Sequence, residues 1–180
     1  MLKKLESMKM QKKLKFGYAV VISLMIFSGL VSIAGLSSLY YELQNYSGAQ
    51  EADTAVKLCR INVNVAARNI LQMALDGDRG TYSGYRETVE ARLTELEPEV
   101  LTLKETDVIS DELYSQYVGA LNEWGPIGQH IMELIQEGEK EEAVTRILTE
   151  SATVLDHLVD LSKQIDAQIA AEKARAVRLS

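Results

Sequence analysis

Four residues spread over three helical turns, Lys57, Arg60, Asn64 and Arg68, combine charge with hydrogen-bonding capacity in a way that suits anion recognition. On a helix, at 100° per residue, they fall within an arc of about 80°. Arginine is the informative type, because its planar guanidinium can meet a carboxylate through two parallel hydrogen bonds. Beside the stripe runs an apolar seam at spacings of three and four: Ala49, Ala52, Val56, Cys59, Val63, Ala66, Ile70 and Met73. A cationic stripe flanking a packing face is where a partly buried anion site can form. The plainer reading stays open: Arg60 and Arg68 are solvated, or paired with acids on a neighbouring helix.

Little else in the chain points to chemistry. A di-iron bundle needs Glu-x-x-His pairs, but the residues three before His130 and His157 are Ile127 and Val154. The histidines read as surface residues. No glycine-rich phosphate loop or nucleophile motif occurs, so neither an enzyme nor a cofactor or metal site is expected. The single cysteine, Cys59, excludes an internal disulfide. It reads as a small buried apolar group, with a disulfide between two subunits as the alternative. Trp124 and the tyrosines Tyr82, Tyr85, Tyr114 and Tyr117 sit at core spacing and read as core, although aromatic residues so placed could also line a pocket.

The elements that position these residues are helical. Only Pro98 and Pro126 interrupt the stretch after Tyr41, and no segment shows the alternation or Asn-Gly turns of a β domain. The first helix ends in the turn cluster Asp76-Gly77-Asp78-Arg79-Gly80. A second begins near Thr81, with Tyr82, Tyr85, Val89, Leu93, Leu96, Val100 and Leu103 on one face; Pro98 should kink it, or break it one residue earlier. A third starts after Ser110 or Asp111, has a second kink expected at Gly125-Pro126, and closes at Gly138. The last carries Glu139, Glu141 and Glu142 in its first turn, where acids suit the helix dipole. The expected fold is all-α: helices at about 39–76, 81–105, 111–137 and 139–180 form an antiparallel up-down-up-down bundle.

Ahead of the bundle, residues 1–15 hold six lysines against one acid, Glu6, and residues 16–41 hold no charge. The run FGYAVVISLMIFSGLVSIAGL is 21 residues long, and about 20 are needed to cross a bilayer. A basic arm at 1–15, a transmembrane helix at 16–38 and an outer domain at 39–180 follow, with the amino terminus on the cytoplasmic side of the inner membrane. A signal peptide cut before Gly35, after the small pair Ser32 and Ala34, is the competing reading, but the basic arm and apolar stretch are long for one. The chain after Tyr41 has 13 basic residues against 25 acidic, a net charge of −12. That excludes nucleic acid as a partner.

This arrangement resembles the N-terminal sensory part of bacterial methyl-accepting chemotaxis receptors of the four-helix-bundle class. Carrying the resemblance are the basic arm, the apolar helix running into the first bundle helix, the long fourth helix, and the segment CRINVNVAARNILQMALDGD at 59–78. It implies a homodimer that senses a small carboxylate ligand or a periplasmic or extracellular binding protein. In well-known members, arginines of the first helix and hydroxyls of the fourth hold the ligand's carboxylates at the dimer interface. Carried over by position, these are Arg60 and Arg68, with Asn64 between them. Counting equal distances from the turns brings Thr149, Ser151 and Thr153 of the fourth helix level with Arg68. Aspartate-sensing members use three arginines where this chain has two, so aspartate specificity is not implied. The resemblance also implies a second membrane helix and an output domain after the fourth helix, making the sequence a fragment of a larger receptor. Histidine kinases and cyclic-dinucleotide enzymes carry the same kind of sensor, and a bundle that only dimerises remains an alternative.

Overall fold

The computed structural model describes residues 10–178, and side chains over 18–176; the lysine-rich arm at 1–15 lies outside those side chains. The described chain is helical throughout apart from its turns, and it divides into two units, residues 1–44 and Asn45–Leu179.

The apolar segment of the first unit belongs to helix α1 (Met10–Leu75) and contains an 18-residue stretch of mean hydropathy 2.4, none of it buried. Among the described residues it is the one helix apolar and long enough to cross a membrane. Three of its serines are paired along the helix: Ser23, Ser32 and Ser37 each donate to the carbonyl four residues earlier, at 2.8–2.9 Å. A hydroxyl paired in this way costs little in an apolar environment.

The second unit is a four-helix bundle. Its first helix is the remainder of α1, and every residue of the predicted seam from Ala49 to Met73 is buried. The second helix is two pieces, α2 (Tyr82–Thr94) and α3 (Leu96–Glu105), separated at Glu95. Sequence reasoning placed this break at Pro98 or one residue before it. It falls three residues before, because a proline in the first turn of α3 needs no amide donor there, whereas within a longer helix it would leave Thr94 without a partner. The third helix, α4 (Asp111–Glu137), starts where Ser110 accepts a hydrogen bond from the Leu113 amide. It ends at Gly138, whose φ of 97° is left-handed, with the amides of Gly138 and Glu139 returning to Leu134. That closure favours glycine, as expected of a helix stop. Helix α4 continues through Pro126 without a break in its assignment.

The fourth helix was expected to be continuous, and here the structure differs. It runs as α5 (Lys140–Arg146), a π turn (Ile147–Ser151) and α6 (Ala152–Arg178). Ala143, Ile147 and Ser151 are spaced four and four, a drift of about 80° on an ideal α-helix. The wider π turn absorbs that drift and keeps Ser151 and then Val154, Leu158, Leu161 and Ile165 facing the core. Trp124, Tyr117, Met73, Leu103, Ile131 and Ile135 fill the centre.

Candidate functional site

Arg60 does not face solvent alone. Its Nη2 donates to both carboxylate oxygens of Asp166 on α6, at 3.1 and 3.3 Å. About two turns closer to residue 45, Lys173 donates to Asp53 at 2.7 Å, and Lys57 reaches the same carboxylate at 2.8 Å. These hydrogen bonds hold the Asp53 carboxyl below its usual pKa, Lys173 contributing most. Together the pairs form an ionic clasp between α1 and α6. The groove beside them, about 320 Å³, has its charged lining engaged within the protomer.

Asn64 is exposed at the mouth of a crevice of about 20 Å³ lined by Arg60, Val63, Tyr117, Leu155, Leu158, Val159 and Ser162. Ligand pockets measure about 300–1,000 Å³, so this crevice holds no ligand in a single protomer. Inside it, burial pushes the Tyr117 hydroxyl well above its ordinary pKa, helped by the adjacent Cys59. Burial likewise pushes the Cys59 thiol up to about 12, so it stays protonated and unreactive.

Arg68 is exposed and makes no ion pair among the described residues. It lies on a second stripe of α1 that sequence reasoning did not separate from the first. Leu58, Ile61, Val65 and Arg68 alternate spacings of three and four and fall within about 80° of arc, roughly opposite the buried seam. Leu58 and Ile61 are 37% and 53% exposed, and Leu75, one heptad beyond Arg68, is 73% exposed. The heptad phase was the available signal: Thr54, Ile61, Arg68 and Leu75 are each seven apart.

The fourth-helix hydroxyls are placed differently from one another. Ser151 is buried and accepts a hydrogen bond from the Trp124 indole N–H at 3.0 Å, so its oxygen faces the core. Thr149 and Thr153 are exposed, and each donates to the carbonyl four residues before it. The counting that brought all three level with Arg68 needs correction. The crevice shared by Asn64 and Leu158 and the Arg60–Asp166 pair together bring Arg68 level with the Val154–Leu158 turn of α6. Thr153 is near that level, and Thr149 lies about a turn beyond it. The π turn is one cause; the other is that α5 begins past the end of α1, with the long side chain of Lys140 reaching back to the Asp76 carbonyl.

That end of the bundle is tightly tied. Asp76 accepts from the Asp78 amide at 3.0 Å, the Thr81 hydroxyl at 2.8 Å and the Tyr85 hydroxyl at 3.2 Å. The Asp78 amide contributes most to holding the Asp76 carboxyl below its usual range. Lys140 also sits over the Tyr82 ring, 5.6 Å from its centroid. No group of three or more metal-ligating side chains occurs among the described residues.

One protomer therefore presents a closed ionic clasp at Arg60, and at Arg68 an open guanidinium within an exposed apolar stripe. No curated protein and no solved structure matches the chain. A family model does match, over residues 7–177, and its description is a four helix bundle sensory module for signal transduction. The match takes in both the apolar segment and all four bundle helices, and the chain belongs to this family of sensory modules found in methyl-accepting chemotaxis receptors.

Proposed function

We propose that this sensory module works as a homodimer seamed along the α1 stripe, and that it binds a small anionic ligand at Arg68. The observation that carries the reading is Arg68 itself: an arginine without an ion pair among the described residues, set between exposed apolar residues at heptad spacing. A lone protomer offers it no enclosing wall. A second α1 packed against the stripe would desolvate the guanidinium, and a desolvated arginine needs an anion. The exposed Asn64 and Thr153 would supply hydrogen-bonding groups at its edge.

The apolar segment would anchor the module in the cytoplasmic membrane with the lysine-rich arm inside and the acidic bundle outside. Ligand binding would signal by favouring one of two arrangements of α1 and α6, to the extent that its affinity differs between them. The clasp at Arg60–Asp166 and Asp53–Lys173 is the contact that such a displacement would reset. A binding protein docking at the same end is the second form of stimulus that the family resemblance supports.

A thermal-shift screen of the full chain in nanodiscs, against amino acids and aromatic and aliphatic carboxylates, tests the site through stabilisation by mass action. At least one carboxylate should raise the bundle's Tm, and Arg68→Ala should abolish that rise while leaving the unliganded Tm within about 1 °C, as for an exposed side chain. A rise that survives Arg68→Ala would contradict this assignment.

A further inference from the structure

A groove in the bundle lies away from α1 and α6, between the second helix and the third. Leu93, Leu96, Val100 and Leu101 form one wall, Val118, Leu121, Gly125 and Pro126 the other, enclosing about 600 Å³. This is the volume of a small-molecule pocket. Two features of the sequence create it. The second helix is interrupted at Glu95 beside the groove, and α4 turns a bare backbone toward the space, since a Cβ added at Gly125 would meet nothing within 4 Å.

Two acceptors stand out among its polar groups. Glu97 contributes a carboxylate that makes no ion pair among the described residues. Asn122 contributes a side-chain amide, and its backbone carbonyl has lost its helical donor because the residue four along is Pro126. The Tyr114 hydroxyl stands toward the other end, where Lys104 approaches the ring, 6.0 Å from its centroid. With Lys104 facing Tyr114 across the antiparallel pair, Glu97 falls at the level of Asn122, midway along the groove. A carboxylate and an unpaired carbonyl beside apolar walls call for a hydrogen-bond donor carrying positive charge on an apolar body.

We propose that this groove is a second ligand site, within each protomer, for hydrophobic amines: a protonated amine held by Glu97 and the Asn122 carbonyl, with an aromatic or branched aliphatic body between Leu96, Val100 and Leu121. It is independent of the anion site at Arg68 and does not require the dimer.

Isothermal titration of the full chain in nanodiscs tests it, with 2-phenylethylamine, tryptamine and cyclohexylmethylamine as probes, phenylacetate as the charge-reversed control and empty nanodiscs as the blank. At least one amine should bind at one site per chain, with phenylacetate leaving that site empty. Glu97→Gln, which keeps the shape, should weaken the amine at least tenfold. Gly125→Leu, which fills the free space, should abolish binding, and Arg68→Ala should leave it unchanged. Absence of saturable amine binding at millimolar concentration would overturn the proposal, as would equal affinity in both groove variants. So would a change in oligomeric state in Gly125→Leu with amine binding intact, since the groove would then be a protein contact.

Discussion

Replacing Ser151 with alanine isolates what the buried Trp124–Ser151 contact contributes. Trp124 is 1% exposed and Ser151 5%, so no water can take over the indole N–H once the serine oxygen is gone. A buried donor left without a partner costs about 1–3 kcal/mol. Alanine returns roughly 0.5 kcal/mol through better helix propensity, so the net loss is about 0.5–2.5 kcal/mol. For a bundle of this size that corresponds to a fall in Tm of about 2–10 °C. In a Trp124→Phe background the donor is absent, and the same Ser151→Ala change should cost less than about 0.5 kcal/mol. Urea unfolding of the full chain in nanodiscs, followed by circular dichroism in all four variants, measures the cycle. Trp124 is the sole tryptophan, so its fluorescence reports the core directly in the two variants that keep it. Ser151→Ala destabilising both backgrounds equally, or neither, would refute the reasoning and return Ser151 to consideration as a ligand contact.

Asp53 predicts an acid-sensitive clasp. Because its folded pKa lies below the ordinary 3.8, its stabilising contribution is complete above that value and is lost as pH falls through the folded value. Asp53→Asn should therefore cost about 1 kcal/mol at pH 7 and progressively less below about pH 4, seen as converging Tm values. At the other end, Asp76→Ala removes the acceptor shared by the Asp78 amide and the hydroxyls of Thr81 and Tyr85. Hydrogen exchange at Asp78 and in the turn that follows should accelerate while α4 keeps its protection; unchanged exchange in the turn would show that Asp76 does not organise it.

Periodicity made the four helices legible, and local signals fixed several ends. Ser110 and Gly138 bound α4 because each terminus needs a chemical solution, a hydroxyl acceptor at one end and a left-handed residue at the other. The π turn was hidden, since an ordinary α-helix also accommodates spacings of four and four, and the Trp124–Ser151 hydrogen bond that goes with the turn appears only once α4 is in place. Register between α1 and α6 was hidden for a related reason: turn residues set where helices end, while interhelical packing sets how they slide. At the candidate site, the open alternative that an arginine pairs with an acid on a neighbouring helix describes Arg60 and Asp166. Arg68 differs because it has no ion pair among the described residues and shares its stripe with the exposed Leu58 and Ile61.

Whether that outward face joins two protomers is best decided by cysteine cross-linking in native membranes, with Ile61→Cys on the stripe and Glu87→Cys, on the exposed face of α2, as control. The native Cys59 does not compete, being buried with its thiol pKa pushed up to about 12. The account predicts rapid oxidation of Ile61→Cys to a disulfide-linked dimer and little from Glu87→Cys. Equal cross-linking at both positions, or none at Ile61→Cys, would contradict the dimer seam and with it the enclosed anion site at Arg68.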